Sequence, residues 1–277
     1  MARKTQLAAM TWKEAEEAFR DNPVIIVPNA SIEQHGPQTP VGDFRVGEIV
    51  AERIAAATGA IVAPMLPFGY SEVFRRFPGT VTLRAETIYN VMYDVVTNFL
   101  DHGLDHVMFL CCHHGNMPIL EQVAHQIRRE RGIVLGCLEP WRLHSPAFMS
   151  EVFNQPNPRH GHGTEPFASM SLHLFPDDVR TDLAEEENRV DPSTLLKKGA
   201  SGDLPLRGTN QIQIGDATGM LYLDYRDVVP NGVIGDIHLA SAEAGEKLFN
   251  RAIELGIEYV RMFEKVETRR GYWEGLG

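Results

Sequence analysis

The sequence is short of cysteine, of cations and of long apolar runs, and each shortage removes a class of protein. Three cysteines in 277 residues cannot build a disulfide framework, and adjacent Cys111 and Cys112 lack the C-x-x-C spacing of zinc sites. They read instead as small buried apolar residues in a reducing compartment. No uninterrupted apolar run reaches the roughly 18 residues of a membrane-spanning helix. The opening MARKTQLAAMTWKE holds no apolar stretch fit for a signal peptide. A cytosolic protein without a membrane partner is expected. Lysine and arginine total 26 against 37 aspartates and glutamates, a formal net charge of -11. With no basic stripe interleaved with aromatics, such a surface repels nucleic acid.

What is present is ordinary globular material: 43% hydrophobic and 23% charged residues. Length allows one large domain or two small ones. No repeat or low-complexity linker divides the chain, so a single domain over 1–277 is expected. Thr11 and Glu14 form a capping-box pattern that starts a helix ending near Pro23. Residues 24–27 read as a strand buried on both faces, stopped by Pro28. Helical spacing returns at Val46, Ile49, Val50 and Ile54, closed by Gly59. Strands are then expected at 61–66, 106–112 and 133–138, with a short one at 80–83, and helices at 87–100 and 117–131. This alternation predicts a parallel sheet covered by helices on both faces. Beyond Trp141 the pattern weakens, with a helix at 165–175, a mixed stretch at 181–235 and a last helix over 241–266.

Ligands of an open parallel sheet gather at the carboxyl ends of its strands, and three groups of metal-capable residues adjoin such ends. The first runs from Glu33 through His35 to Asp43, on a loop fixed by glycine and proline. Divalent metals such as zinc, manganese and iron accept this mixed nitrogen and oxygen set. The second is His113-His114-Gly115-Asn116. Neighbouring side chains diverge, so one histidine can enter a site while the other stays beside it or at the surface. The third is His160-Gly161-His162-Gly163-Thr164-Glu165, where a histidine could carry protons and Glu165 could complete a metal shell. Together they supply enough carboxylates and imidazoles for two metals about 3.5 Å apart, bridged by a carboxylate and a water. Taken singly, each has a plainer reading: an exposed acidic loop, or a hydrogen-bonded histidine near a helix start.

These residues resemble the creatininase (creatinine amidohydrolase) family. The likeness lies in Glu33-Gln34-His35-Gly36, Phe77-Pro78-Gly79-Thr80, His113-His114-Gly115-Asn116, the 160–165 segment and Gly232-Val233-Ile234-Gly235-Asp236. It implies an α/β fold, a three-layer αβα sandwich with a mainly parallel central sheet. It also implies a pair of divalent metals, zinc first with manganese or iron as options. By analogy Glu33 and His113 hold one, His35 and Glu165 the other, and Asp43 bridges. A metal-bridging hydroxide would then attack a carbonyl of a small polar cyclic substrate, a cyclic amide in the creatinine case. His160 would move the proton, with Glu165 also at the reaction centre. A homo-oligomer, as large as a hexamer, is implied as well.

The departures concern substrate. Gln38 and Phe74 stand where many members have histidine, and Gly115 stands where creatininases carry glutamate. Trp141 is the one tryptophan in the middle of the chain. Ring opening of an inositol-derived cyclic ketone, 3-dehydro-scyllo-inosose, is therefore a second reading. Gln38, Tyr70, His114, Asn116 and His162 are the candidate substrate contacts. Deformylation of a formamidopyrimidine nucleotide is a third, with Arg75, Arg76 and Arg142 as possible phosphate donors. A non-catalytic metal-binding scaffold is the alternative of another class.

Overall fold

A computed structural model describes residues 4–198, 200 and 203–270. The capping box forms as read: Glu14 N–H donates to Thr11 Oγ1 (3.3 Å) and Thr11 N–H to Glu14 Oε2 (2.7 Å), opening α1 (Trp12–Phe19). The chain then alternates through β1 (Ile25–Asn29), α2 (Asp43–Thr58), β2 (Ile61–Val62), α3 (Ala85–Asp101), β3 (Val107–Cys111), α4 (Met117–Arg131) and β4 (Gly136–Leu138). All four strands pair in parallel, in the order β2-β1-β3-β4.

Because every strand is buried on both faces, alternate residues feed two cores. Ile26, Met108 and Leu110 face α2 and two later helices, α6 (Phe167–Leu174) and α8 (Ala242–Phe263). Ile25, Val27, Val107 and Phe109 face α3 and α4. The result is the expected three-layer αβα architecture with a mainly parallel central sheet. From β1 the chain crosses to β2 on one side, and later enters β3 on the other. The topological switch point, where ligands of such sheets bind, therefore lies beyond the carboxyl ends of β1 and β3.

Three expectations are corrected. Pro28 does not stop β1; it sits within the strand, in register with Leu110. Its missing N–H costs no ladder bond, because it faces the β2 side after β2 has ended at Val62, where the Pro28 carbonyl accepts from Leu66 N–H (3.1 Å). The strand read at 80–83 is reduced to isolated bridges, Ile32 to Val81 and Gly69 to Thr82. The stretch 181–235 contains a small antiparallel sheet of β5 (Leu206–Arg207), β6 (Gln211–Ile214) and β7 (Ala217–Met220). Two short helices, α5 (Pro146–Val152) and α7 (Tyr225–Val228), complete the elements used below. Among the described residues no helix is long and apolar enough to cross a membrane.

Candidate metal centre

The loop after β1 and the end of β3 deliver their side chains to one cavity of about 520 Å³ at the switch point. Its floor carries Glu33, His35, Asp43, His113, His162 and Glu165, and its walls Tyr70, Phe74, Trp141, Phe167 and Tyr225. Glu33 is the hub. Its carboxylate belongs to two groupings whose donor atoms all lie within 4.8 Å: one with His35 and His162, the other with Asp43 and His113.

Three imidazoles address the same oxygen, Glu33 Oε1, at 3.3 Å from His113 Nδ1, 3.7 Å from His35 Nε2 and 3.9 Å from His162 Nδ1. In each ring the other nitrogen is committed to a backbone carbonyl. His113 Nε2 donates to Tyr70 (2.8 Å), His35 Nδ1 to Glu33 (3.0 Å) and His162 Nε2 to Gln34 (2.6 Å). A carbonyl only accepts, so each bond fixes the proton on the far nitrogen and leaves the near one as a lone pair in the neutral ring. Metal-ligating histidines are oriented in this way.

The remaining carboxylate oxygens are also held. Glu33 Oε2 accepts from Ser71 Oγ (2.6 Å), which in turn meets Ser31 Oγ. Asp43, the first residue of α2, accepts from Ser31 N–H at Oδ1 (2.9 Å) and keeps Oδ2 3.8 Å from His113 Nδ1.

Burial and charge set the protonation states. Burial works to raise Glu33, but His113 first, then His162 and His35, hold it down at about 2. Burial works to lower His113, and the Glu33 and Asp43 carboxylates overcome it, lifting the ring to about 9. His35 falls to about 3 through burial and the nearby His162, and burial lowers His162 too. Asp43 is pushed well above the usual carboxylate range by burial. Glu165, buried with Oε1 lacking a hydrogen-bond partner among the described residues, rises to about 7 for the same reason. Two neutral rings thus aim lone pairs at an ionised carboxylate beyond hydrogen-bonding length. That arrangement is repulsive unless a cation lies among the donors, so the residues present fit a divalent metal.

The placement of the candidates is mixed. Glu33, His35, Asp43 and His113 come together. Glu165 stands in the same cavity but belongs to neither grouping. Adjacent His113 and His114 diverge as expected: His114 is exposed at the rim, 3.3 Å from Glu139 Oε2. Tyr70 and His162 line the cavity, but Gln38, Asn116 and His160 do not. Gln38 Nε2 donates to the Gly163 carbonyl (2.8 Å), so it braces the loop rather than a substrate. Asn116 is wholly buried, donating to Asn29 Oδ1 (3.0 Å) and Ala30 O (3.1 Å) and accepting from Tyr70 N–H (2.9 Å). With every arm taken by the protein, it has none for a ligand. His160 is exposed, with Nδ1 bonded to the Pro158 carbonyl (2.9 Å). His162, not His160, faces the cavity, and Gly163, the next residue, takes a positive φ of 77°. Ser31 and Ser71 escaped sequence reasoning altogether: Ser71 lies 38 residues from Glu33, and no local pattern marks it.

Comparison with known proteins defines the class. The creatininase (creatinine amidohydrolase) family pattern matches residues 8–260. The chain belongs to the creatininase family.

Among individual relatives, it is 26% identical over 250 residues to 3-dehydro-scyllo-inosose hydrolase of Thermotoga maritima, covering 86% of this chain and 76% of that one. It is 28% identical over 200 residues to creatinine amidohydrolase of Pseudomonas putida, covering 66% and 76%. A mycofactocin precursor peptide peptidase of Mycolicibacterium smegmatis is 27% identical over 237 residues, covering 82% and 80%. Solved creatininases share the fold: a mutant of Zn-Zn type (TM-score 0.73, 22% identity, 94% and 98% covered) and a manganese form (0.73, 23%, 94% and 98%). The family makes the chain a hydrolase; the named relatives act on different substrates.

Proposed function

We propose that this chain is a binuclear metal-dependent hydrolase that opens a small polar cyclic substrate at a carbonyl, a cyclic amide being the first choice. The observation that carries the reading is the convergence of three carbonyl-pinned imidazoles on Glu33 Oε1. Glu33 stands between the two donor groupings, with Asp43 and His113 on one side and His35 on the other. A metal pair held there would acidify a water and polarise a carbonyl.

The chain's own residues do the rest. Ser71 and Ser31 keep the Glu33 and Asp43 carboxylates aimed at the donors opposite. Tyr70, Phe74, Trp141, Phe167 and Tyr225 give flat apolar walls against which a planar ring can stack while water is excluded. Glu165 titrates near neutrality with one oxygen unpartnered, the condition for a group that takes a proton from water and returns it to a leaving group. We assign it the proton transfer the sequence suggested for His160.

The test is turnover by zinc- or manganese-loaded protein on creatinine, other cyclic amides and 3-dehydro-scyllo-inosose, with Asp43→Asn as the comparison. The account expects a ring-opened product heavier by one water, lost on chelation and in the variant. Turnover indifferent to both would remove the mechanism. Ring opening of the inosose is the second reading, supported by the length of the Thermotoga match. Selective turnover of that ketone would decide for it.

A further inference from the structure

The geometry points to His162 as a metal ligand through Nδ1, making Glu33, His35 and His162 a two-histidine, one-carboxylate site on the pocket side of the centre. This deepens the proposed metal-dependent reading and rests on it. Neither the loop position nor the residue type decides the matter, since a histidine in an aromatic cavity is as often a packing residue. Four observations together do.

The ring cannot turn. It lies stacked between His35 (centroids 4.9 Å, planes 19° apart) and Phe74 (4.1 Å, 16°), with Tyr225 against its edge (5.4 Å, 64°). Nε2 is locked by the Gln34 carbonyl at 2.6 Å, so Nδ1 is the only nitrogen able to meet a ligand. It opens onto the cavity that holds the other donors. Finally, two donors each about 2.0–2.2 Å from one tetrahedral ion stand roughly 3.3–3.6 Å apart. His35 Nε2 and His162 Nδ1 stand 3.7 and 3.9 Å from Glu33 Oε1, within a few tenths of an ångström of that spacing. A free general base would not need its partner anion at ligand spacing, nor three contacts fixing the ring.

Two imidazoles and a carboxylate with an open position form a donor set used by catalytic zinc. The other grouping, Glu33, Asp43 and His113, offers two carboxylates and one imidazole. The two sites therefore differ in nitrogen content, and the pocket-side one should favour zinc more strongly.

The experiment is a zinc titration of the metal-stripped full chain against a chromophoric chelator, for wild type, His162→Ala and Phe74→Leu. Two zincs should bind wild type and Phe74→Leu, which keeps the imidazole but loses its stacking partner. In His162→Ala one of the two should weaken by about 100-fold or more, the upper end of what even a supporting residue costs. Zinc-edge X-ray absorption on the wild type gives an answer independent of any variant's folding: three imidazoles per two zincs, not two. Unchanged zinc affinity in His162→Ala, or only two imidazoles, overturns the inference while leaving the hydrolase reading standing. A wild type that takes up no zinc defeats that reading instead.

Discussion

Gly115 separates a supported His113 from an unsupported one. A Cβ at this position would lie 2.4 Å from the Tyr70 carbonyl oxygen and 2.5 Å from His113 Nε2, the two ends of a single 2.8 Å hydrogen bond. Neither atom can step aside cheaply: one is backbone, and the other belongs to a buried ring facing Glu33 and Asp43. Gly115→Ala must therefore pry the bond open. Overpacking of this kind costs about 1–3 kcal/mol, and a lost carbonyl support costs about 10–100-fold in metal affinity. Thermal melting of the metal-stripped variant reads the first effect and chelator competition with zinc reads the second. Wild-type zinc affinity in Gly115→Ala, whatever its melting point, would refute the claim that the Tyr70 carbonyl sets the His113 tautomer. The same contact explains why the glutamate that creatininases carry here has no room in this chain unless the Tyr70 loop moves.

Two further outcomes follow from the geometry. His113, raised from 6.5 to about 9, gives the metal-free protein stability that is full below pH 6.5 and lost as pH rises through 9. Glu165, raised from 4.5 to about 7, likewise favours the folded state at low pH and loses that contribution as pH rises through 7. Glu33, lowered to about 2, stays ionised throughout this window. A metal on His113 requires its ring deprotonated, so the gap in Tm between zinc-loaded and stripped protein should widen as pH rises from about 6.5 to 9; a constant or shrinking gap contradicts the assignment of His113. Asn116→Ala removes three buried hydrogen bonds and should destabilise by about 2–4 kcal/mol. Differential scanning calorimetry should then show a Tm lower by roughly 5–10 °C, and a change under about 2 °C would mean that its bonds are replaced by water.

Much of the architecture was legible because it is written locally. The capping box at Thr11 and the apolar spacing of α4 locate helices without reference to the rest of the chain. Strand limits were less legible, because pairing decides them. β2 is two residues long because its ladder with β1 breaks after Val62 and resumes only as a single bridge, Leu66 to Asn29. Pro28 was misread for the same reason: a proline is tolerated where no neighbour needs its N–H. The three short strands from Leu206 to Met220 bury no side chain, so the brief Gln211-Ile212-Gln213-Ile214 alternation faces no core and is too short to stand out.

At the site, the metal-capable residues of the first two loops were readable from type and position, as Glu33, His35, Asp43 and His113. What sequence could not give is direction. His160 and His162 are chemically alike, and only the path of the folded loop turns one inward. Gln38 and Asn116 look like substrate contacts in a list of polar residues, yet Gln38 Nε2 is held by the Gly163 carbonyl and Asn116 by Asn29, Ala30 and Tyr70. Ser71 was invisible because its contacts, to Glu33, Ser31 and His113, are all made across the fold.

The most direct test of the central claim is elemental analysis of the purified full chain, wild type beside Glu33→Gln, after dialysis against zinc or manganese. The substitution keeps the shape of the shared side chain but removes the charge toward which His35, His113 and His162 converge. Two divalent metals per wild-type chain, falling sharply in Glu33→Gln, is the predicted result. Wild-type protein that takes up neither metal, or a variant that retains both ions, would contradict a metal centre built around Glu33.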